Sequence, residues 1–262
     1  MALTDKLTAI ADAIRTKTGS SDTMTLDEMA TAVGNITGDG ETTTVTTDSA
    51  DAVIDRSITE YSSGTLTSIG DYAFYYCTSL ANIDTPYVTS IDTYAFQGCT
   101  SLASIDLSNT ASIGNYAFYG CSILDNIDTS KVASIGFYAF YDCTSLSEID
   151  LSVCTSAGNY AFANCTALTS LDFIACESIG LKTCYKCKGL TKVWLPSTCT
   201  AISAASYSNA PFYQCSSTLK IYTDVTDEDS IPSGWGAYWN YYGSSSTLTV
   251  HYGATHDEYE AV

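Results

Sequence analysis

Five aspartates, Asp84, Asp106, Asp128, Asp150 and Asp172, recur at intervals of 22 residues. Each follows an Ile or Leu, so on a strand its side chain points away from the core. A column of like charges spaced ~5 Å apart repels by about 3 kcal/mol per neighbouring pair at a surface dielectric near 20, before salt screens it. Such a column is tolerable as a solvated face. It is better placed against a cation, a basic group or a hydroxyl-rich ligand. A second column, Tyr72, Tyr94, Tyr116, Tyr138 and Tyr160, keeps the same interval, with Tyr75, Tyr119 and Tyr141 three residues further on. Tyrosine offers contact area and a hydroxyl at small entropic cost, which suits recognition. The five aspartates and the five tyrosines from Tyr72 to Tyr160 are the candidate ligand-binding face. The plainer alternatives are a solvated acidic surface and tyrosines that only cover the edges of the fold.

No residue set nominates a reaction. There is no nucleophile elbow, no phosphate-cradling glycine loop and no isolated carboxylate pair of the glycosidase kind. His251 and His256 are too isolated to be assigned as ligands or bases. Cys184 and Cys187 have redox or half-zinc spacing, but no second such pair accompanies them. A non-enzymatic protein without cofactor or bound metal is expected.

The elements that must position these columns share their period. Ile69, Ile91, Ile113 and Ile135 fall 22 residues apart, as do Phe74, Phe96, Phe118, Phe140 and Phe162. Cys77, Cys99, Cys121, Cys143, Cys165 and Cys187 form a third register, and Leu80, Leu102, Leu124, Leu146, Leu168 and Leu190 a fourth. A fixed period of this length is the mark of a leucine-rich-repeat solenoid, whose units bury their apolar sides only by stacking. Cysteines that hold one register, or alternate with Val and Phe at others, read as small buried hydrophobes rather than disulfides. Gly70, Gly114, Gly136, Gly158 and Gly180 follow the Ile register, with Asp92 in the same column; a tight turn with positive φ is expected there.

One unit, from Ser112, reads S-I-G-N-Y-A-F-Y-G-C-S-I-L-D-N-I-D-T. It resembles the BspA-like leucine-rich repeats of bacterial and phage surface proteins, with their I-G-x-x-A-F-x-x-C-x-x-L-x-x-I pattern. The resemblance implies a mostly β repeat solenoid with short helical turns over residues 51–222. It also implies an aromatic C-terminal cap over residues 223–262, which ends in a strand and a short helix. Before the solenoid, Leu3, Leu7, Ile10 and Ile14 make one helical stripe. Thr25 and Glu28 have capping-box spacing ahead of Met29, Val33 and Ile36. Residues 1–36 therefore read as a helical hairpin for attachment or oligomerisation, and the Gly/Thr-rich residues 37–50 as a linker. The A-I-R-x-K-T-G-S-S-D stretch is similar to N-terminal segments of phage tail and prophage structural proteins. That resemblance implies contact with other tail or surface subunits.

Ten basic residues against 29 acidic ones leave a formal charge of −19. This argues against nucleic acid and against an anionic membrane surface. Lys182, Lys186, Lys188 and Lys192 crowd into one repeat, as a solvated patch or a contact for an acidic face of another subunit. The N-terminus has no charged-then-apolar leader pattern, which suggests synthesis and assembly in the cytosol. The expected role is recognition of a host surface glycan or protein, as a phage or prophage tail-associated receptor-binding component. The alternatives are a bacterial cell-surface adhesin and a structural scaffold, with a homo-oligomer open in each case.

Overall fold

The architecture comes from a computed structural model, which describes residues 44–45, 56–243 and 246–261. The expected hairpin over residues 1–36 lies outside the described residues. The strands are β1 (Thr44–Val45), β2 (Glu60–Ser62), β3 (Ser68–Ile69), β4 (Asn82–Asp84), β5 (Ser90–Ile91), β6 (Ser104–Ile105), β7 (Ser112–Ile113) and β8 (Asn126–Ile127). They continue as β9 (Ser134–Ile135), β10 (Ser156–Ala157), β11 (Ser170–Asp172), β12 (Ser178–Ile179), β13 (Lys192–Trp194), β14 (Ala201–Ile202), β15 (Lys220–Tyr222) and β16 (Thr249–His251). One α-helix, α1 (His256–Glu260), follows. β1 falls within the stretch expected to be a linker and pairs in parallel with β2.

Each coil has three sides. The first carries the Leu-x-x-Ile-Asp stretch and forms short parallel sheets, β1-β2-β4, β6-β8 and β11-β13-β15-β16. The line breaks between β4 and β6 and again at residues 148–150. There the Thr129 hydroxyl donates to the Asp150 carbonyl at 2.8 Å and accepts from the Asp150 N–H at 3.0 Å, a side chain standing in for backbone pairing. The second side is one unbroken parallel sheet, β14-β12-β10-β9-β7-β5-β3, in which each strand is two residues long. Its register places Ile69 on Ile91, Ile113 on Ile135 and Ala157 on Ile179, as the period requires. The third side is a ladder of turns. The N–H groups of Tyr94, Phe96 and Gly98 donate to the carbonyls of Asn115, Ala117 and Tyr119 in the next coil at 2.7–2.9 Å, and neighbouring coils repeat the pattern.

The interior is filled by the registers read from the sequence. Phe74, Phe96, Phe118, Phe140 and Phe162 are fully buried and stack nearly parallel, with centroids 5.0–5.9 Å apart. All eleven cysteines are buried free thiols. They also do more than fill space. The Cys99, Cys121, Cys143, Cys165 and Cys187 thiols donate to the Phe carbonyl of the preceding coil at 2.9–3.1 Å, which ties neighbouring coils together. At the far end Trp235 and Trp239 close the core, with Trp235 bridged to Ile202.

The glycine column is not where the backbone turns left-handed. Among the described glycines only Gly98, Gly120 and Gly253 have positive φ. Gly114, Gly136, Gly158 and Gly180 are required instead by close approach. A Cβ built on Gly136 would lie 2.6 Å from the Gly114 carbonyl carbon, and one on Gly180 the same distance from that of Gly158. Coils meet here closer than a side chain permits.

Candidate functional site

The tyrosine column lies on the third side, and its backbone is unusual. Tyr72, Tyr94, Tyr116, Tyr138 and Tyr160 all have φ of 57–61°. A bulky residue in the left-handed region is an outlier, because its Cβ crowds the carbonyl oxygen. Four residues further along each coil runs a second left-handed column, which holds Tyr76 and Lys186 at its ends and Gly98, Gly120, Asp142 and Asn164 between them. Gly, Asp and Asn tolerate the conformation. The backbone therefore does not select tyrosine in the first column.

The five rings stack in register, with centroids 4.6–4.8 Å apart and planes within 15°. Beside them Tyr119 and Tyr141 stack at 4.8 Å. A groove of about 560 Å³ runs among these tyrosines and Gln97. Because ring faces are covered by neighbouring rings, the stripe presents ring edges and phenol hydroxyls. Partial burial, reinforced by neighbouring phenols, raises the pKa of Tyr72, Tyr116 and Tyr138 above the usual phenol value. They stay neutral donors and acceptors at physiological pH.

The aspartate column also lies where expected. Asp84, Asp106, Asp128 and Asp150 are exposed and Asp172 is partly buried. Four of the five have a local task. The Asp106, Asp128, Asp150 and Asp172 carboxylates accept the N–H of the residue two positions on, at 2.8–3.0 Å. Each caps the turn out of its strand. For Asp84 that residue is Pro86, which has no N–H. Hydrogen bonds from Ser130 hold Asp128 below the usual carboxylate range. The column thus has a structural reason that the tyrosines lack. Asp106→Ala should cost about 1 kcal/mol through the lost turn cap, read as a lower denaturant midpoint. Full stability in that variant would return the aspartates to the ligand-binding face.

Asp172 ends the column differently. His256, 84 residues away, meets it through Nε2 to Oδ2 at 2.5 Å, and Glu260 Oε1 lies 3.9 Å from the same nitrogen. Burial pushes the Asp172 carboxyl up, with the His256 contact opposing. These three ligand atoms lie within 4.8 Å of one another. A metal with bonds of about 2.0–2.2 Å needs its ligand atoms farther apart than the His–Asp contact, so as placed the pair docks α1. Thr255 and Glu258 cap that helix, and Tyr259 packs with Trp194 and Tyr222. Separation in sequence hid this pairing, which no spacing rule reveals.

The periodic match decides the family. The model for the BspA type leucine-rich repeat region matches residues 56–131 and 89–218, in 6 copies. The chain belongs to the BspA-type leucine-rich repeat family. Solenoids of this type are typically non-enzymatic recognition scaffolds. Among solved structures, the leucine-rich repeat protein of T. pallidum is 28% identical, over 52% of this chain and 65% of that one, with a TM-score of 0.44. A leucine-rich cell surface protein from Faecalibacterium prausnitzii A2-165 is 18% identical over 78% and 62% of the respective chains, with a TM-score of 0.39. The pneumococcal vaccine antigen PcpA is 14% identical over 81% and 71%, with a TM-score of 0.43. This BspA-type chain spans just under two thirds of the first two. No curated protein matches. Among the described residues no helix is long and apolar enough to cross a membrane.

Proposed function

We propose that this BspA-type solenoid is a non-enzymatic recognition protein whose tyrosine stripe contacts a host surface glycan or protein. The observation that carries the reading is the retention of tyrosine at five successive left-handed positions. Strain of that kind persists where the side chain has a use, and ring stacking alone could be supplied at a relaxed position. Two settings employ such a surface. A tail-associated receptor-binding component is supported by the resemblance of the N-terminal segment. A bacterial cell-surface adhesin is supported by the family. The flanking genes discriminate the two: tail genes favour the first, a secretion signal in the native reading frame the second.

The test replaces Tyr116 and Tyr138 together by Asn, a residue that the left-handed region accepts. Relief of backbone strain should offset much of the lost stacking, so the unfolding midpoint should move by no more than about 1 kcal/mol. Adsorption to host cells, or retention on immobilised cell-wall glycans, should fall at least tenfold. Wild-type adsorption by a folded double variant rules out this side of the coil.

A further inference from the structure

The tyrosine side carries two carboxylates, Asp71 beside Tyr72 and Asp142 beside Tyr119 and Tyr141, and both accept hydrogen bonds, Asp71 from the Thr93 N–H at 2.8 Å. In a chain of net charge −19, the residues beside its two tyrosine rows at the second left-handed column are Tyr76, Gly98, Gly120, Asp142, Asn164 and Lys186. The one carboxylate among them, Asp142, accepts the Asn164 amide at 2.7 Å. The stripe also ends in cations. In the next coil Lys182 takes the tyrosine position, with φ of 52°, and Lys186 the second column, with φ of 60°. The Lys182 ammonium lies 5.3 Å from the Tyr160 ring centre and 5.1 Å from that of Tyr185, and the Lys186 ammonium 4.9 Å from Tyr185. At the opposite end the Arg56 guanidinium sits 5.7 Å from the Tyr75 ring centre. Among the described residues neither Lys182 nor Lys186 has a carboxylate within ion-pair distance.

We infer that the ligand of this side is an anionic polysaccharide laid across the coils. The inference rests on the recognition reading above and names its ligand class. The rings inside the stack, Tyr94, Tyr116 and Tyr138, cannot serve as a platform for sugar faces, since both faces of each are taken by neighbours. They offer instead a row of neutral phenol hydroxyls at the 4.6–4.8 Å rung spacing, suited to a hydroxyl-lined chain. Lys182 and Lys186 then receive an acidic substituent at one end, and their aromatic contacts hold the two ammonium groups in place. A protein partner would not need cations at both ends of a hydroxyl row. The remainder of this acidic chain would repel a polyanion, so binding is confined to this side.

The experiment measures binding of the full chain to polygalacturonate, dextran sulfate and unmodified dextran of matched length, between 50 and 500 mM salt. Both anionic polymers should bind at least tenfold more tightly than dextran, with affinity falling as salt rises; their ratio tells whether carboxylate or sulfate is the preferred acid. The K182A/K186A variant should lose at least tenfold and flatten the salt dependence, while K131A/K220A, with the same charge change elsewhere, should bind like wild type. Equal binding of neutral dextran, no binding of either polyanion, or equal loss in the two lysine pairs overturns the inference. If dextran binds and only Tyr116→Asn with Tyr138→Asn removes it, the charge inference fails while the tyrosine stripe stands. If polyanion binding survives that tyrosine pair, the stripe itself is wrong.

Discussion

Gly136→Ala should destabilise the solenoid by about 3 kcal/mol, at the upper end of what one inserted methyl normally costs. Elsewhere in a strand the same change is expected to stabilise by roughly 0.5–1 kcal/mol, because glycine carries an entropic penalty. The difference comes from what the methyl meets. Its position lies 2.6 Å from the Gly114 carbonyl carbon and 2.7 Å from the Asn115 nitrogen, both backbone atoms. Neither can swing aside as a side chain would. Moving them apart stretches the Gly136 N–H bond to the Ile113 carbonyl, now 2.8 Å, and the equivalent Gly114 bond to Ile91, 2.7 Å. In a stack where coils touch only their neighbours, weakening one interface uncouples everything on either side. The column admits a side chain at Asp92 and Ser203, nearer its ends, and glycine holds the four positions between them. Gly64→Ala is the control, since its methyl would meet nothing within 4 Å; its urea midpoint should hold or rise slightly. Equal midpoints for Gly136→Ala and wild type would show that the coils are spaced more loosely than this.

The part of the fold that was legible in the sequence is the part in which one residue type occupies one register. Phe, Cys, Leu and Ile recur because each coil buries the same atoms against the next, so the period alone predicted the stacking and the core. The second sheet was not legible. Its strands are two residues long with one inward Ile, too short for alternation to show. The glycines beside it were misread for a physical reason: close approach and positive φ both select glycine, and the sequence does not say which operates. The tyrosine column was placed correctly at the surface. Its left-handed backbone was invisible, because propensity puts Gly, Asn or Asp there and not a bulky aromatic. The cysteines read correctly as buried hydrophobes, but their coil-to-coil hydrogen bonds needed coordinates. The aspartates read correctly as outward-facing, and the geometry then gave four of them a turn to cap.

Above about pH 9 the protein should lose stability steeply and unfold cooperatively by about pH 11. Burial raises the pKa of the thiols of Cys99, Cys121, Cys143, Cys165, Cys184, Cys199 and Cys215 from the ordinary 9.0, taking Cys121 to about 12 and Cys199 to about 11. Cys154 runs the other way, because the Cys176 thiol donates to it. A group whose pKa is higher in the folded state holds its proton there after the unfolded chain has released it. Its stabilisation is complete below the unfolded value and declines as pH rises from that value to the folded one. For fully buried Cys121 the window from 9 to about 12 corresponds to about 4 kcal/mol, at 1.36 kcal/mol per unit. A domain is stable by only about 5–15 kcal/mol, so two or three such thiols ionising in the unfolded chain are enough. Tyr116, Tyr138 and Tyr141 shift in the same direction and add to the loss above pH 10. The measurement is a pH titration that follows circular dichroism and thiolate absorbance together. Apart from Cys154, whose thiolate forms earlier, the two should change in one transition, and beyond it all eleven thiols should be open to a disulfide reagent. Thiolate beyond the one equivalent of Cys154 appearing well before structure is lost would mean that water reaches the cysteine column, and the stacked core described above would then be wrong.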